Sequence, residues 1–263
     1  MRLASIHIYP IKAVRGIGLD VAIVEPRGLQ GDRRWLIVDE DDRFITQRSH
    51  PVLATLQATL RGDGLELSSQ GLAPISVARP SGGTRRLVTV WQSQVDAVDA
   101  GEAAAAWISR LLGFPARLVA MDERSHRPVD LAFGSEADTV SFADGFPLLL
   151  TSASSLDDLN ARMEANLPMN RFRPNLVIDG AVPWQENDWK RVRVGEVEFR
   201  SVKPCARCLV TTTDQLTGER MGDKPLRTLA TFSRWEGKAI FGTNLIPDGE
   251  GEVSVGDPVE ILE

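Results

Sequence analysis

The sequence predicts an α+β chain, mostly β, folded as two closely packed domains, residues 1–120 and 121–263. Three observations lead there. Apolar and polar residues alternate over short stretches broken by Gly, Pro and Asp, the pattern of half-buried strands. One stretch, Gly101 to Gly113, carries a clear helical pattern. The 263 residues suffice for one large domain or two, domains of roughly 100–150 residues being the norm.

In chain order, Leu3–Ile8 alternates as a strand and ends at Pro10, with Lys12 following. Val21–Glu25 is a second strand. A loop from Gly28 to Arg34, punctuated by Gly31, enters the strand Trp35–Val38. Phe44–Arg48 reads as a short strand with Arg48 at its end. Further short strands, with turns at Gly62-Asp63-Gly64 and Ser81-Gly82-Gly83, continue to Val98. The helix that follows is Ala-rich, presents Trp107, Ile108, Leu111 and Leu112 as an apolar stripe, and stops at Gly113 and Pro115.

In the second half, Leu148–Leu150 is an apolar strand running into Thr151-Ser152. Ser152 or Ser154 is placed to cap the next helix, whose free N–H groups suit an anion. Arg173-Pro174-Asn175 precedes the strand Leu176–Ile178, and a hairpin around Gly195-Glu196 delivers the chain to its two cysteines. Ala239–Leu245 and Val253–Leu262 read as closing barrel strands.

Composition narrows the function. The net charge of −6 argues against general nucleic-acid binding, so an anionic ligand has to be held by a local cluster of Arg and Lys. No apolar run approaches the roughly 20 residues of a membrane span. The N-terminus is too short and polar for a signal peptide. Two cysteines with no obvious disulfide pattern fit a reducing compartment, so the expected location is the cytoplasm.

Those cysteines stand in Lys203-Pro204-Cys205-Ala206-Arg207-Cys208-Leu209-Val210-Thr211-Thr212-Thr213-Asp214. A C-x-x-C pair serves thiol–disulfide exchange, zinc binding, or single-thiolate ligation of a redox metal. Exchange wants a helix after the first cysteine, whereas the β-branched run after Cys208 reads as a strand. Structural zinc needs four ligands, and His7, His50 and His126 are isolated from one another. Two buried, inert thiols remain the plain alternative. On an extended backbone, residues three apart face opposite ways, so only one cysteine is expected to face a site. Arg207 would favour a thiolate beside it.

P-C-x-R-C-x-x-T-T-x-D-x-x-T-G resembles the MOSC domain family, and the resemblance runs from Ile8-Tyr9-Pro10-Ile11-Lys12 to Val255-Gly256-Asp257-Pro258-Val259. It is similar to the branch that pairs a MOSC N-terminal β-barrel domain with a MOSC β-barrel domain. The mitochondrial amidoxime-reducing component and its bacterial relatives belong to that branch. The resemblance implies a molybdopterin-type molybdenum cofactor in the cleft between the domains, with Cys208 as the metal's thiolate ligand and Cys205 structural. It implies Lys12, Arg33, Arg48, Arg173, Asn175 and Arg207 as cofactor contacts; Ser152, at the helix start, is a further candidate contact or simply a cap. Asp214 is a candidate catalytic acid or a turn-fixing carboxylate. Ala13 departs from the mitochondrial pattern, where serine is common. So does Gly145-Phe146, where Thr-Ser stands.

The implied reaction is reduction of N-hydroxylated compounds such as amidoximes, hydroxylamines and N-hydroxylated bases, a detoxifying chemistry. Two cysteines cannot supply the four thiolates of an iron–sulphur cluster, and no G-x-G-x-x-G offers a nicotinamide or flavin site. Electrons are therefore expected from a separate ferredoxin, flavodoxin or cytochrome with its reductase. The alternative function is a non-catalytic cofactor-binding or sulphur-carrier module.

Overall fold

The computed structural model describes residues 1–263. Its largest sheet has nine strands. They run in the order Val259–Ile261, Arg191–Val194, Val197–Ala206, Lys238–Pro247, Leu148–Ser152, Leu176–Asp179, Arg2–Ile8 and Ile17–Leu19, with Arg234–Trp235 added beside Lys238–Pro247. Leu148–Ser152 and Leu176–Asp179 pair in parallel, and the helix Ala153–Met163 forms their crossover.

Three smaller sheets complete the β-structure. Trp35–Val38, Arg117–Ala120, Ser93–Asp99 and Arg85–Val90 form one, and Gln57–Arg61, Gly64–Ser69 and Leu72–Val77 another. With the helix Glu102–Leu112 (α1) these make a barrel-like N-terminal unit. Its core includes Ile11, Trp35, Leu53, Leu65, Trp107 and Leu118. The third small sheet joins Gly251–Ser254 to Val21–Glu25 and Gly28–Leu29. Residues 2–29 thus build sheets with strands from the second half of the chain, and Leu3, Ile6, Ile8, Val24 and Leu29 share a core with Leu150, Phe199 and Leu245.

Most predicted strands appear with their ends moved by a few residues, because alternation marks a strand's middle better than its caps. Two segments differ. Phe44–Arg48 is no strand: only Phe44 makes a single bridge, to Val38, and the chain then turns through 47–49. The run after Cys208 is a short 3-10 helix, Leu209–Thr212, in which the Thr211 and Thr212 hydroxyls donate to the Cys208 and Leu209 carbonyls. That local bonding overrides β-branched propensity. Ala153–Met163 (α2) starts after Ser152 and contains Ser154, but the expected side-chain cap does not form, because the two hydroxyls bond each other and Ser154 donates to the Ala181 carbonyl; Lys224–Phe232 (α3) packs against this helix.

Candidate active site

Between the N-terminal unit and the large sheet lies an open cleft of about 840 Å³, its solvent-filled mouth included. Lys12, Arg33, Arg48, Arg173, Asn175, Arg207 and Cys208 all line it, as do Cys205, Asp144 and Phe146. Five cations thus face one lining carboxylate, in a chain whose net charge is −6.

Each cation is set by its own segment. Lys12 sits just past the strand Arg2–Ile8, where its N–H donates to the Trp35 carbonyl at 2.9 Å. Its side chain is buried, and its ammonium donates to Asp144 Oδ1. Burial pushes the Lys12 pKa down to about 8, against the pull of Asp144. Against its own desolvation, Asp144 is held well below the usual carboxylate range by Lys12 and then Arg48. Its side chain is 63% exposed at the mouth and also accepts from Arg48 Nη2 at 3.4 Å and Trp91 Nε1 at 3.2 Å. Arg48 rests on the Trp91 ring, 4.4 Å from its centre.

Deeper in, Arg33 donates to Asp32 Oδ2 at 2.5 Å, to Asn175 Oδ1 at 3.2 Å and to the Arg173 carbonyl at 3.3 Å. Despite burial, Asp32 raises its pKa. Arg173 is buried, which brings its guanidinium down to about 10, and its Nη2 has no partner. Ala13, Arg33 and Arg173 all take positive φ, at 64°, 51° and 56°. Such strained backbone in three lining residues is the kind that collects at functional sites.

Both cysteines face the cleft. The expectation that only one would do so fails because the strand Val197–Ala206 ends between them, and strict alternation ends with it. Arg207 donates to Cys205 Sγ at 2.9 Å and to the Phe172 carbonyl at 2.6 Å, leaving its Nε unpartnered. Cys208 is extended, at φ −135° and ψ −178°, immediately before the 3-10 turn.

Ser152 and Asp214 lie outside the lining. Ser152 is fully buried, and its hydroxyl is shared with Ser154 at 2.7 Å. The anion at that helix start is internal: the buried Glu186 accepts from Ser155 Oγ at 2.8 Å, and the Ser152 backbone favours its charged form although burial raises its pKa. Asp214 accepts from the N–H groups of Leu216 and Thr217, at 2.8 and 3.0 Å, and from Arg171 Nη2 at 2.8 Å. It fixes the turn after the cysteines.

Asn175 is fully buried and knots the floor. Its Oδ1 accepts from Leu149 N–H at 3.1 Å, and its Nδ2 donates to the His7 carbonyl at 3.1 Å. Sequence reasoning missed the buried pair Gln47 and Gln215. These two exchange bonds at 3.2 and 3.0 Å, while Gln47 also donates to the Ala13 carbonyl at 2.7 Å and Gln215 to that of Thr213 at 3.1 Å. Asp144 was likewise missed, because a carboxylate before Gly145 reads as an ordinary turn residue.

Residues 1–115 match the MOSC N-terminal beta barrel domain, and residues 137–260 match the MOSC domain. The chain is 33% identical to the mitochondrial amidoxime-reducing component 1 of Homo sapiens over 280 residues, covering 99% of this chain and 82% of that protein. The chain belongs to the MOSC family. Within this family it is also similar to the mitochondrial amidoxime reducing component 2 of Bos taurus, at 30% identity over 98% of this chain and 82% of that one. A third relative is the molybdenum cofactor sulfurase of Oryza sativa subsp. japonica, 31% identical over 97% of this chain but only 34% of its own length. Of these relatives, the sulfurase is the one named for the molybdenum cofactor. No helix in it is long and apolar enough to cross a membrane.

Proposed function

We propose that this MOSC chain is a molybdenum-cofactor-dependent reductase of N-hydroxylated compounds, supplied with electrons by a separate donor protein. The observation that carries the reading is the cationic cleft with Cys208 on its lining and a buried Arg173 whose Nη2 has no protein partner. A buried, unpartnered guanidinium nitrogen is costly unless an anion meets it. The residues present therefore fit an anionic pterin cofactor. Arg33, Arg173 and Lys12 would hold its charged end, with Arg48 and Arg207 nearer the mouth and the cysteines. Asn175 would hold the floor, and Cys208 would offer the soft thiolate a redox metal takes.

When bound, the cofactor would supply the two-electron chemistry that breaks the N–O bond and releases the oxygen as water. The chain's part is to bind, orient and provide protons. Lys12, with its ammonium brought down to about 8, is the lining cation nearest neutrality and can hold a proton at Nζ close to working pH. Asp144 stays ionised and keeps Lys12 and Arg48 at the mouth.

The similarity to the sulfurase favours a second reading, a cofactor-docking or sulphur-carrier module. Metal and pterin analysis of the purified protein, followed by benzamidoxime assays, separates the two. About one molybdenum and one pterin per chain, with turnover on reduced viologen or a reconstituted ferredoxin, flavodoxin or cytochrome chain, supports the reductase. A metal-free protein carrying a persulfide supports the carrier. Robust turnover with NADH and this protein alone would refute the separate donor.

A further inference from the structure

Tyr9 is the one tyrosine in the chain, and it is buried directly behind the cleft. Two lining guanidiniums rest on its ring, Arg173 at 4.1 Å and Arg33 at 4.5 Å from the ring centre. Its backbone is tied on both sides, since Tyr9 N–H donates to Asp32 Oδ1 at 2.8 Å and Arg33 N–H donates to the Tyr9 carbonyl at 2.7 Å. Its hydroxyl donates to the Pro174 carbonyl at 3.0 Å, between Arg173 and Asn175. The ring leaves no room behind it: a Cβ on Gly16 would come within 2.5 Å of Tyr9 Cε1. Asp32, itself fully buried, thus holds Arg33 by its side chain and Tyr9 by its backbone.

Two buried like charges on neighbouring segments repel, and an aromatic face is one of the few apolar surfaces that attracts both. The ring therefore does more than fill space. It fixes the separation of two cations that line the cleft, one of which, Arg173, has an Nη2 without a protein partner. We propose that Tyr9 is a positioning residue that carries Arg33 and Arg173 as the two arms of one clamp for a phosphate-like anion. Resting on the reading above, that anion is the charged end of the cofactor.

A single tyrosine gives the test its reporter. Protein grown with 3-fluorotyrosine and freed of any bound cofactor has one ¹⁹F tyrosine resonance, to be titrated with inorganic phosphate against chloride at matched ionic strength. A saturable shift with phosphate alone, diminished in Arg173→Ala, is expected. Phosphate affinity is also measured for Tyr9→Phe, which keeps the ring, and Tyr9→Leu, which does not. Tyr9→Phe is expected to stay within about twofold of the wild type and Tyr9→Leu to weaken by about tenfold. A resonance that phosphate leaves unmoved overturns the proposal, and that arm needs no variant to fold. So does a Tyr9→Leu protein with intact near-UV circular dichroism and wild-type affinity. Equal loss in both variants also overturns it, because the hydroxyl to Pro174 would then be the operative contact. Molybdenum content of the wild type is read separately: a metal-free protein with the expected phosphate response retains the clamp and removes only the cofactor.

Discussion

Arg207 Nη1 reaches the sulphur of Cys205, 2.9 Å away, although Arg207 neighbours Cys208 in the chain. The guanidinium thereby occupies one thiol and leaves the other to the cleft. Cys208→Ser is expected to abolish metal binding and reduction, while Cys205→Ser keeps much of both. Metal analysis and a viologen-driven assay check this, with circular dichroism confirming the fold. Equal loss in the two variants would show that the cysteines act as a pair.

The basic lining leads to a second expectation. Charge-assisted hydrogen bonds contribute about 1.5–3 kcal/mol each, so Arg173→Ala or Arg33→Ala should lower pterin occupancy roughly tenfold or more. Pterin fluorescence of the released cofactor, normalised to protein, measures it. Full occupancy in both variants would sink the assignment.

Lys12 sets a pH dependence. Its pKa falls from 10.5 in the free side chain to about 8 in the fold. Between those values the unfolded chain binds more protons than the folded one, so Lys12 makes the ligand-free protein more stable as pH rises through this window. Anion binding runs the other way, because it needs the ammonium and should weaken as pH rises through about 8. Phosphate affinity from pH 6.5 to 9.5 tests this, with Lys12→Met expected to remove the inflection. An unchanged inflection in that variant would assign it to another group.

Gln47 and Gln215 tie the Ala13 segment, the turn before Arg48 and the segment after the cysteines into one buried network. Gln215→Leu strands the Gln47 amide, and an unpaired buried group costs about 1–3 kcal/mol. Denaturant unfolding of both single variants and the double should show a loss well short of additive. Additive losses would mean the two amides act independently.

Much of this fold was legible in order of appearance. Leu3–Ile8, Val21–Glu25 and Trp35–Val38 follow their alternation, and α1 follows its alanines and Gly113. Lys224–Phe232 was not, because nine residues with Pro225 and two threonines carry little helical propensity and are held by packing on α2. The lining cations and Cys208 were recognisable only through a family motif. Their supports were not recognisable at all: Gln47 and Gln215 stand 168 positions apart, and Lys12 and Asp144 stand 132 apart. Only the closed fold makes such neighbours. Ser152 shows the opposite failure, in which a correct local signal, a helix start suited to an anion, is answered inside the protein by Glu186.

The placement of Arg2–Ile8 between Leu176–Asp179 and Ile17–Leu19 has a consequence for biogenesis. Strand Arg2–Ile8 waits for one of its two partners until some 170 residues later, as its Leu3 pairs with Ile178. Contacts of that sequence separation close slowly, and their open edges are exposed to self-association in the meantime. The large sheet therefore closes only once Val259–Ile261 has been made. The cleft, whose lining runs from Lys12 to Asn244, is assembled in the same late event. A ligand that depends on both halves has no partial site to enter, so loading waits until both halves are made.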